Sequence, residues 1–390
     1  MDCSSLFYKT YGREAQDTFF CPYRICPLGA HVDHNLGIIT GFAINKGVHS
    51  AFSPAPKGCF SVISMQYCDK ISWKYEDTVI KAGDWADYFR GASLALSRAF
   101  RLENGIDFCI DGELQTGGLS SSAAVTLSFI HALCKVNGII LSDSELVSLA
   151  QKVEHDFVGV KSGILDQSCE VYCRENSLLF LDTDTLERKN IPGNGIGENF
   201  DIILFFTGTH RTLVGSGYNN RVKELRDAAD LLAGYAGIEW NEQVHSMRRI
   251  PEDIFLEYRS LLPPVLEKRA LHFFTENRRV LEGADAWQSG DFLRFASLVT
   301  ESGRSSVYNW QSGSEENICL HEILENTEGI FGSRFSGAGF NSCTLAFAEK
   351  GSFERVFGAV KSKFVEKYPH SENTFFACIC STANGISENN

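Results

Sequence analysis

A glycine- and serine-rich segment most constrains the fold of this chain. Residues 116–124 read Thr-Gly-Gly-Leu-Ser-Ser-Ser-Ala-Ala, after a β-rich run at Ile106–Ile110 and before an apolar helical pattern over Ser122–Val136. A glycine turn that opens a helix leaves unpaired N–H groups at the positive end of the helix dipole, which favours an anion. The hydroxyls can bind phosphate or Mg²⁺, although a serine N-cap behind a turn explains the segment equally well by itself.

Two common nucleotide-binding signatures are absent from the sequence. The chain contains no Gly-Lys dipeptide, which excludes the lysine of a P-loop. A second glycine loop, residues 335–342, contains Gly337 and Gly339 but has serine in the place of a third glycine and opens no helical pattern. A dinucleotide-binding fold is therefore not expected.

The charge balance limits the classes of partner. With 36 Lys and Arg against 49 Asp and Glu, the net charge is −13, so we expect no binding to nucleic acid or to a membrane.

The 13 cysteines include no C-x-x-C pair and match no usual zinc pattern, and the N-terminal residues lack a secretory signal. We therefore expect a cytoplasmic protein. The uncharged stretch Thr116–Cys134 is better explained as a loop and a buried helix than as a membrane span.

Strand-like and helical patterns are mixed along the chain without regular alternation, which predicts an α+β fold and not a doubly wound sheet. A run rich in glycine at Asn190–Asn199 suggests a boundary between two domains, residues 1–190 and 191–390. The predicted strands are Cys59–Ser64, Ile106–Ile110, Ser177–Leu181, Asp201–Phe206, Ser342–Phe347 and Thr374–Cys380. The predicted helices are Ser122–Val136, Ser142–Phe157, Asn219–Tyr235 and Val265–Trp287.

Two polar clusters contain groups that could recognise a polyol or accept a proton. The first has an arginine, two histidines and a carboxylate close together, namely Arg24, His31, Asp33 and His34. It could hydrogen-bond a polyol, ligate a metal or form a salt-bridged turn. The second is Gly163-Ile164-Leu165-Asp166, where burial would hold the Asp166 carboxylate near a reacting proton; a helix cap is the alternative.

Taken in order, these loops resemble the galactokinase branch of the superfamily that also contains homoserine, mevalonate and phosphomevalonate kinases. The resemblance extends from Pro22 to Phe340. Residues 29–34 read Gly-Ala-His-Val-Asp-His where galactokinases have Gly-Glu-His-Thr-Asp-Tyr, residues 118–124 match the phosphate loop, and residues 163–167 match the catalytic stretch. The resemblance implies a two-domain fold with the active site in the cleft between the domains, and the use of ATP and Mg²⁺.

The resemblance also implies residue roles. Asp166 is the expected base, assisted by Arg24 and Arg211. The expected sugar contacts are Arg24, Ala30, His31, Asp33, His34, Gly163, Asp166 and Tyr218. The expected nucleotide contacts are Trp85, Tyr88, Gly117, Gly118, Leu119, Ser120, Ser121, Ser122, Ala123, Gly337 and Gly339, with Ser122 and Glu154 as Mg²⁺ ligands. The third motif departs from the family pattern, since Ala338, Asn341 and Ser342 replace three of its glycines.

One departure bears on the substrate. Ala30 stands where galactokinases have a glutamate that contacts O6 of the sugar, and this segment most resembles galacturonokinases. A buried glutamate would repel a C6 carboxylate by on the order of 4 kcal/mol at an effective dielectric constant of about 20. This predicts an ATP-dependent kinase for the anomeric hydroxyl of D-galacturonate, with His34 and Lys161 as candidate partners of its carboxylate. The alternatives are neutral drift at Ala30 in a galactose or other hexose kinase, and a catalytically silent sugar sensor.

Overall fold

The computed structural model describes residues 2–67, 69–75, 80–114, 117–194, 197, 199–208, 217–239, 245–340 and 343–388. Its strands are β1 (Asp17–Ile25), β2 (Ile38–Ala55), β3 (Cys59–Ser64), β4 (Lys70–Lys74), β5 (Gly105–Gly112), β6 (Ser177–Asp182), β7 (Arg188–Pro192), β8 (Phe200–Phe206), β9 (Ile330–Phe335), β10 (Cys343–Glu349), β11 (Phe376–Cys380) and β12 (Thr382–Ala383). Its helices are α1 (Cys3–Tyr11), α2 (Asp87–Ala99), α3 (Ser121–Asn137), α4 (Asp143–Lys152), α5 (Leu165–Tyr172), α6 (Tyr218–Ala236), α7 (Glu252–Tyr258), α8 (Pro264–Ser289), α9 (Phe292–Tyr308), α10 (Glu315–Glu325) and α11 (Phe353–Lys367).

Strand β2 is the centre of the larger sheet. It pairs antiparallel with β1, β5, β6 and β12, and the main strand order is β4-β3-β5-β2-β6-β7. Helix α3 packs against β1, β2 and β5. The turn between β1 and β2, residues 26–37, contains most of the first polar cluster, so the hairpin places that cluster at one end of the sheet.

The smaller sheet has the antiparallel order β11-β8-β10-β9. Every residue of its strand β8 is buried. Ile203 and Phe205 face a core shared with α10 and α11, while Ile202 and Leu204 face the main core. Burial on both faces explains why β8 is an uninterrupted apolar run in the sequence. The chain then returns to the larger sheet through β12, and the division into residues 1–190 and 191–390 stays a prediction.

The mixture of helices and two sheets confirms the α+β prediction. The predicted strands and helices are found with small shifts at their ends, although Ser342 lies outside the described residues. The predicted helix Ser142–Phe157 is different in one respect, because α4 ends at Lys152 and a π-helical turn, Val153–Val158, follows it. None of the described helices combines the length and the apolar character that crossing a membrane requires.

Helix α8 contacts elements from both the N-terminal and the C-terminal parts of the chain, namely β2, β6 and β7 and the helices α6 and α9. It begins with Pro264 in its first turn and ends at Gly290, which has the left-handed conformation that commonly stops a helix. Its buried face contacts β2 and α9, and it includes the polar residues His272 and Glu276. A long helix with buried charge on its core face is unusual, because burying a charge is costly unless it is paired.

Candidate active site

A cavity of about 850 Å³ is lined by residues from both halves of the chain. Its wall includes the end of β1, the β1–β2 turn, the N-termini of α3 and α6, the π-helical turn and the second glycine loop. The sequence-predicted site residues that line it are Arg24, Ala30, His31, Asp33, Tyr88, Gly117, Gly118, Ser120, Ser121, Ser122, Glu154, Gly163, Asp166, Tyr218 and Gly337. Segments far apart in the sequence therefore meet at one site, as the order of the motifs predicts.

Asp166 and Arg24 form an ion pair at the centre of the cavity wall. Asp166 lies in the first turn of α5, and its Oδ1 accepts from Nε and Nη2 of Arg24 at 2.7 and 2.6 Å. Nη1 of Arg24 donates to the carbonyl oxygen of Gly118 at 2.9 Å. Burial would lower the pKa of Arg24, but the charge of Asp166 outweighs burial and raises it. The arginine is therefore a permanent cation that fixes one oxygen of the carboxylate.

The two glycine loops contact each other beside this ion pair. Gly118 and Gly337 have φ angles of 92° and 65°, in the left-handed region that favours glycine. A Cβ on Gly337 would lie 3.2 Å from the Cα of Gly118, and one on Gly118 would lie 3.0 Å from the carbonyl oxygen of Ser336. Side chains at these two positions would force the loops apart, so the close approach explains both glycines.

The N-terminus of α3 lies at one end of the cavity. Ser120, at the N-cap position, has a φ of 65°, and its own side chain makes no capping hydrogen bond to the helix. Ser120, Ser121 and Ser122 line the cavity next to Gly117 and Gly118. A helix N-terminus with free N–H groups, glycines and hydroxyls is suited to bind a phosphate chain.

Glu154 lies beside the α3 N-terminus, in the π-helical turn that follows α4. Its Oε1 accepts from the Ser122 hydroxyl at 3.1 Å and its Oε2 from the Ser162 hydroxyl at 2.6 Å. Burial, and then the charge of Asp166, raise the pKa of Glu154 to about 7. A carboxylate and hydroxyl oxygens are ligands that a hard divalent cation prefers. Within the described ranges, no group of three or more Cys, His, Asp or Glu residues is arranged to hold a metal.

Asp33 is held close to the backbone before α5. Its Oδ2 accepts from the Leu165 N–H at 3.1 Å, and a Cβ on Gly163 would lie 1.9 Å from the same oxygen. Glycine at position 163 is therefore required for this approach. Burial, and then Asp166, raise the pKa of Asp33 to about 6. Asp33 and Asp166 thus face the cavity from neighbouring positions, where they can accept hydrogen bonds from hydroxyl groups.

His34 does not line the cavity. Its ring stacks on Trp310 with a centroid distance of 5.4 Å and meets Tyr218 edge-on at 6.1 Å. Burial lowers the pKa of His34 to about 3, so the ring is uncharged at neutral pH. Lys161 also does not line the cavity, and its Nζ donates to the carbonyl oxygen of His155 at 3.3 Å. Neither side chain is placed to pair with a carboxylate in the cavity.

Several other sequence-predicted contacts are not among the residues that line the cavity. Leu119 and Ala123 are fully buried in the core below the cavity-lining residues Gly118 and Ser120–Ser122. The carbonyl oxygen of Gly339 accepts from Ser314 N–H and Asn317 Nδ2, so Gly339 supports the second glycine loop from outside. Trp85 stacks on Tyr67 at a centroid distance of 5.3 Å. Arg211 lies outside the described residues.

The structure adds cavity residues that the sequence patterns did not indicate. Lys81 reaches the wall from the segment before α2 and donates to the carbonyl oxygen of Val158. Ser162 holds Glu154, and Asn219 and Asn220 line the cavity at the start of α6. Ser162 could have been found from its position directly before Gly163, but Lys81 has no local signal.

Comparison with known proteins identifies the family of the chain. Residues 87–174 match the model of the GHMP kinases N terminal domain. The chain is 34% identical to a galacturonokinase from Arabidopsis thaliana, covering 90% of this chain and 88% of that protein, and 32% identical to a galactokinase from Lacticaseibacillus casei, covering 98% of both. The crystal structure of Lactococcus lactis galactokinase complexed with galactose superposes with a TM-score of 0.89 and 26% identity, covering 98% of this chain and 97% of that chain.

The fold and the site thus define an ATP-dependent kinase of the GHMP class. With full-length relatives above 30% identity, the chain belongs to the galactokinase and galacturonokinase branch of that family and is a sugar kinase.

Proposed function

We propose that this sugar kinase transfers the γ-phosphoryl group of ATP to the anomeric hydroxyl of D-galacturonate, giving galacturonate 1-phosphate. The observation that carries the choice of sugar is Ala30, which lines the cavity at the motif position where galactokinases carry a glutamate. The 34% identical galacturonokinase from Arabidopsis thaliana supports the same choice. A methyl group at this position leaves room for the C6 carboxylate and does not repel it.

Asp166 is the proposed base. Both hydrogen bonds from Arg24 fall on Oδ1, and in the described part of the chain no hydrogen bond falls on Oδ2. Oδ2 is therefore free to accept the proton of the anomeric hydroxyl as that oxygen attacks the γ-phosphorus. The Arg24 charge also offsets negative charge that accumulates at the transferred group, which is the main electrostatic need of phosphoryl transfer.

Ser122 and Glu154 would hold the Mg²⁺ ion that accompanies ATP. A single buried carboxylate with hydroxyl neighbours fits Mg²⁺, which usually takes one or two carboxylates and completes its coordination with water and substrate phosphates. When bound, the ion neutralises charge on the phosphate oxygens. The protein itself binds the two substrates: the α3 N-terminus binds the phosphates of ATP, and Asp33 orients the hydroxyl groups of the sugar.

Glu154→Gln should raise the Mg²⁺ concentration needed for half-maximal activity by roughly tenfold or more, because a hard cation loses its anionic protein ligand. The measurement is a Mg²⁺ titration of initial rate at saturating sugar. Glu325→Gln is the matched control, since Glu325 at the end of α10 pairs with Arg304 of α9 and does not line the cavity. An unchanged metal requirement in Glu154→Gln would refute the ligand role.

Trp85→Ala should weaken ATP binding by about 1–3 kcal/mol, the range for stacking of a base on an aromatic side chain. Trp85 lies just before Tyr88, which lines the cavity, and it forms an aromatic pair with the exposed Tyr67. Isothermal titration with ATP and separately with sugar makes the measurement. Tyr8→Ala, at an exposed tyrosine of α1, is the control. A loss of sugar affinity with constant ATP affinity would assign Trp85 to the sugar site.

Galactose is the second candidate sugar. The galactokinase from Lacticaseibacillus casei is 32% identical over nearly the whole chain, and the galactose-bound Lactococcus lactis enzyme has the same fold. An ADP-release assay with galacturonate, galactose, glucuronate and glucose separates the two. Faster turnover of galacturonate supports the proposal, and a preference for galactose overturns it. Absence of ADP release with every sugar would support the sensor alternative, although the Asp166–Arg24 pair and Glu154 are in place for catalysis.

A further inference from the structure

The turn that contains Ala30 has an unfavourable backbone conformation. Gly29 and His31 have φ angles of 92° and 64°, and the left-handed region is uncommon for a residue other than glycine. A Cβ on Gly29 would lie 2.6 Å from the Cα of Ile39, so the turn is also in close contact with β2. Such a turn keeps its shape only where surrounding groups hold it.

Two side chains from α8 hold this turn from behind. The Gly29 N–H donates to Oε1 of Glu276 at 2.8 Å, and Nε2 of His272 lies 2.9 Å from the carbonyl oxygen of Ala30. Both side chains are fully buried, and neither lines the cavity. Helix α8 thus binds both the N–H of Gly29 and the carbonyl oxygen of Ala30, although it lies more than two hundred residues away in the sequence.

The hydrogen bond to Ala30 fixes the tautomer of His272. A carbonyl oxygen can only accept, so Nε2 must carry the proton. Burial lowers the pKa of His272 to about 4, although the neighbouring Glu276 charge opposes this, so the ring is neutral at pH 7. Its Nδ1 is then an acceptor for the hydroxyl of Ser305, which lies at 2.9 Å. The ring is held at both nitrogens and cannot rotate without breaking a buried hydrogen bond.

Glu276 is a fully buried carboxylate that Arg279 and Arg334 surround. Arg279 donates to Oε2 from Nε at 2.8 Å, and Nη1 of Arg334 lies 3.6 Å from Oε1. Burial alone would raise the pKa of Glu276, but the charges of Arg279 and Arg334 and the hydrogen bond from Ser302 lower it to about 2. Packed apolar side chains are commonly as stabilising as a buried ion network, which points to a geometric role for this one.

Arg334 connects the network to the second glycine loop. Arg334 is fully buried. Its Nη1 donates to the Ser302 hydroxyl, and this hydroxyl donates in turn to Glu276. Its Nε donates to the carbonyl oxygen of Phe335. The next residue, Ser336, accepts from Arg24, the partner of Asp166. Arg334 therefore contacts the second glycine loop directly, whereas Glu276 contacts the turn at Ala30 directly and reaches that loop only through Ser302 and Arg334.

We propose that Glu276 and His272 are positioning residues of the sugar site, which hold Gly29, Ala30 and His31 in the conformation that shapes the cavity around the C5–C6 end of the sugar. The inference rests on the proposed location of the sugar, but it does not depend on which sugar the enzyme uses. Neither residue touches substrate. Their removal should impair sugar binding and leave nucleotide binding unchanged.

The test compares Glu276→Gln and His272→Phe with the wild type, in the full-length protein. In Glu276→Gln the amide cannot accept from both Gly29 and Arg279, because one of its two heteroatoms is a donor. His272→Phe keeps a ring against Trp310 and removes both hydrogen bonds, while His272→Gln restores a donor for Ala30. Asp201→Asn is the matched control, since Asp201 is a buried carboxylate that accepts from Gly351 N–H and Lys350 far from the turn.

The readouts are KM for sugar, KM for ATP, kcat and the thermal midpoint, with whichever sugar the wild type phosphorylates fastest. Loss of a buried hydrogen bond to a charged group predicts a rise in sugar KM of roughly tenfold or more in Glu276→Gln, with ATP KM unchanged. His272→Phe should show the same split, and His272→Gln should recover part of the loss. Asp201→Asn should lower the thermal midpoint without changing either KM.

A purely structural role would give a different pattern. Glu276→Gln and His272→Phe would then lower the thermal midpoint as Asp201→Asn does, and the KM for sugar would stay at the wild-type value; that result would overturn the proposal. Equal loss of ATP and sugar affinity would also overturn it. If the wild type prefers galactose, the galacturonate assignment fails while the positioning role is still tested with galactose.

Discussion

Asp166→Asn is expected to lower kcat by about two to four orders of magnitude, the usual contribution of a positioned general base. Asparagine has almost the same shape, and its oxygen can still accept from Arg24, but it cannot take the proton of the anomeric hydroxyl. Because Arg24 is almost fully buried, the neutral partner should also destabilise the fold. The expected loss is in kcat, with the affinity for ATP near the wild-type value.

The comparison needs a control that changes another Asp–Arg pair. Asp182 at the end of β6 accepts from Arg248 at 2.6 Å and does not line the cavity, so Asp182→Asn should cost stability and leave kcat unchanged. Single-turnover rates and ATP titrations, at a temperature where circular dichroism shows both variants to be folded, separate chemistry from stability. Near-wild-type turnover in Asp166→Asn would show that another group is the base.

Sequence patterns predicted β3, β5, β6, β8, β10 and β11 but missed the β1–β2 hairpin, which carries most of the first polar cluster. Strand β1 is interrupted by Pro22, where its register with β2 shifts, and β2 contains Gly41 and Gly47. Gly41 is required because a Cβ there would lie 2.1 Å from the Cys169 sulfur. Much of β2 is also buried on both faces, so it lacks the alternation that identifies a strand. Tertiary packing determines this element more than local propensity does.

The order of the loops predicted which segments form the cavity wall, but not the direction of each side chain. His34 is turned away from the cavity against Trp310, and Leu119 is the buried member of a loop whose neighbours line the wall. Glu154 lies in a π-helical turn that follows α4, where the sequence predicted a continuous helix. Glu276 acts on Gly29 from a distant helix, and no local pattern could indicate that contact.

Ala30→Glu is the most discriminating substitution for the choice of sugar. Ala30 is buried, lines the cavity and belongs to the turn that α8 holds, so we expect a longer side chain at this position to extend into the cavity, toward the proposed sugar site. A glutamate about 4 Å from a C6 carboxylate would cost on the order of 4 kcal/mol at an effective dielectric constant of about 20. We expect kcat/KM for galacturonate to fall by about three orders of magnitude.

Galactose has a neutral hydroxyl at C6, so the same substitution should impair its turnover far less, and the new carboxylate can accept a hydrogen bond from O6. Ala30→Gln separates charge from size, because glutamine has nearly the volume of glutamate without its charge. A steric defect would lower kcat/KM in both variants and with both sugars. Charge repulsion would lower it only in Ala30→Glu with galacturonate. The measurement is kcat/KM for each sugar with wild type and both variants. Added salt should restore little of the loss, since a contact inside the cavity is weakly screened. If both sugars lose equally in Ala30→Glu, charge at position 30 does not select the sugar, and the galacturonate assignment loses its structural support.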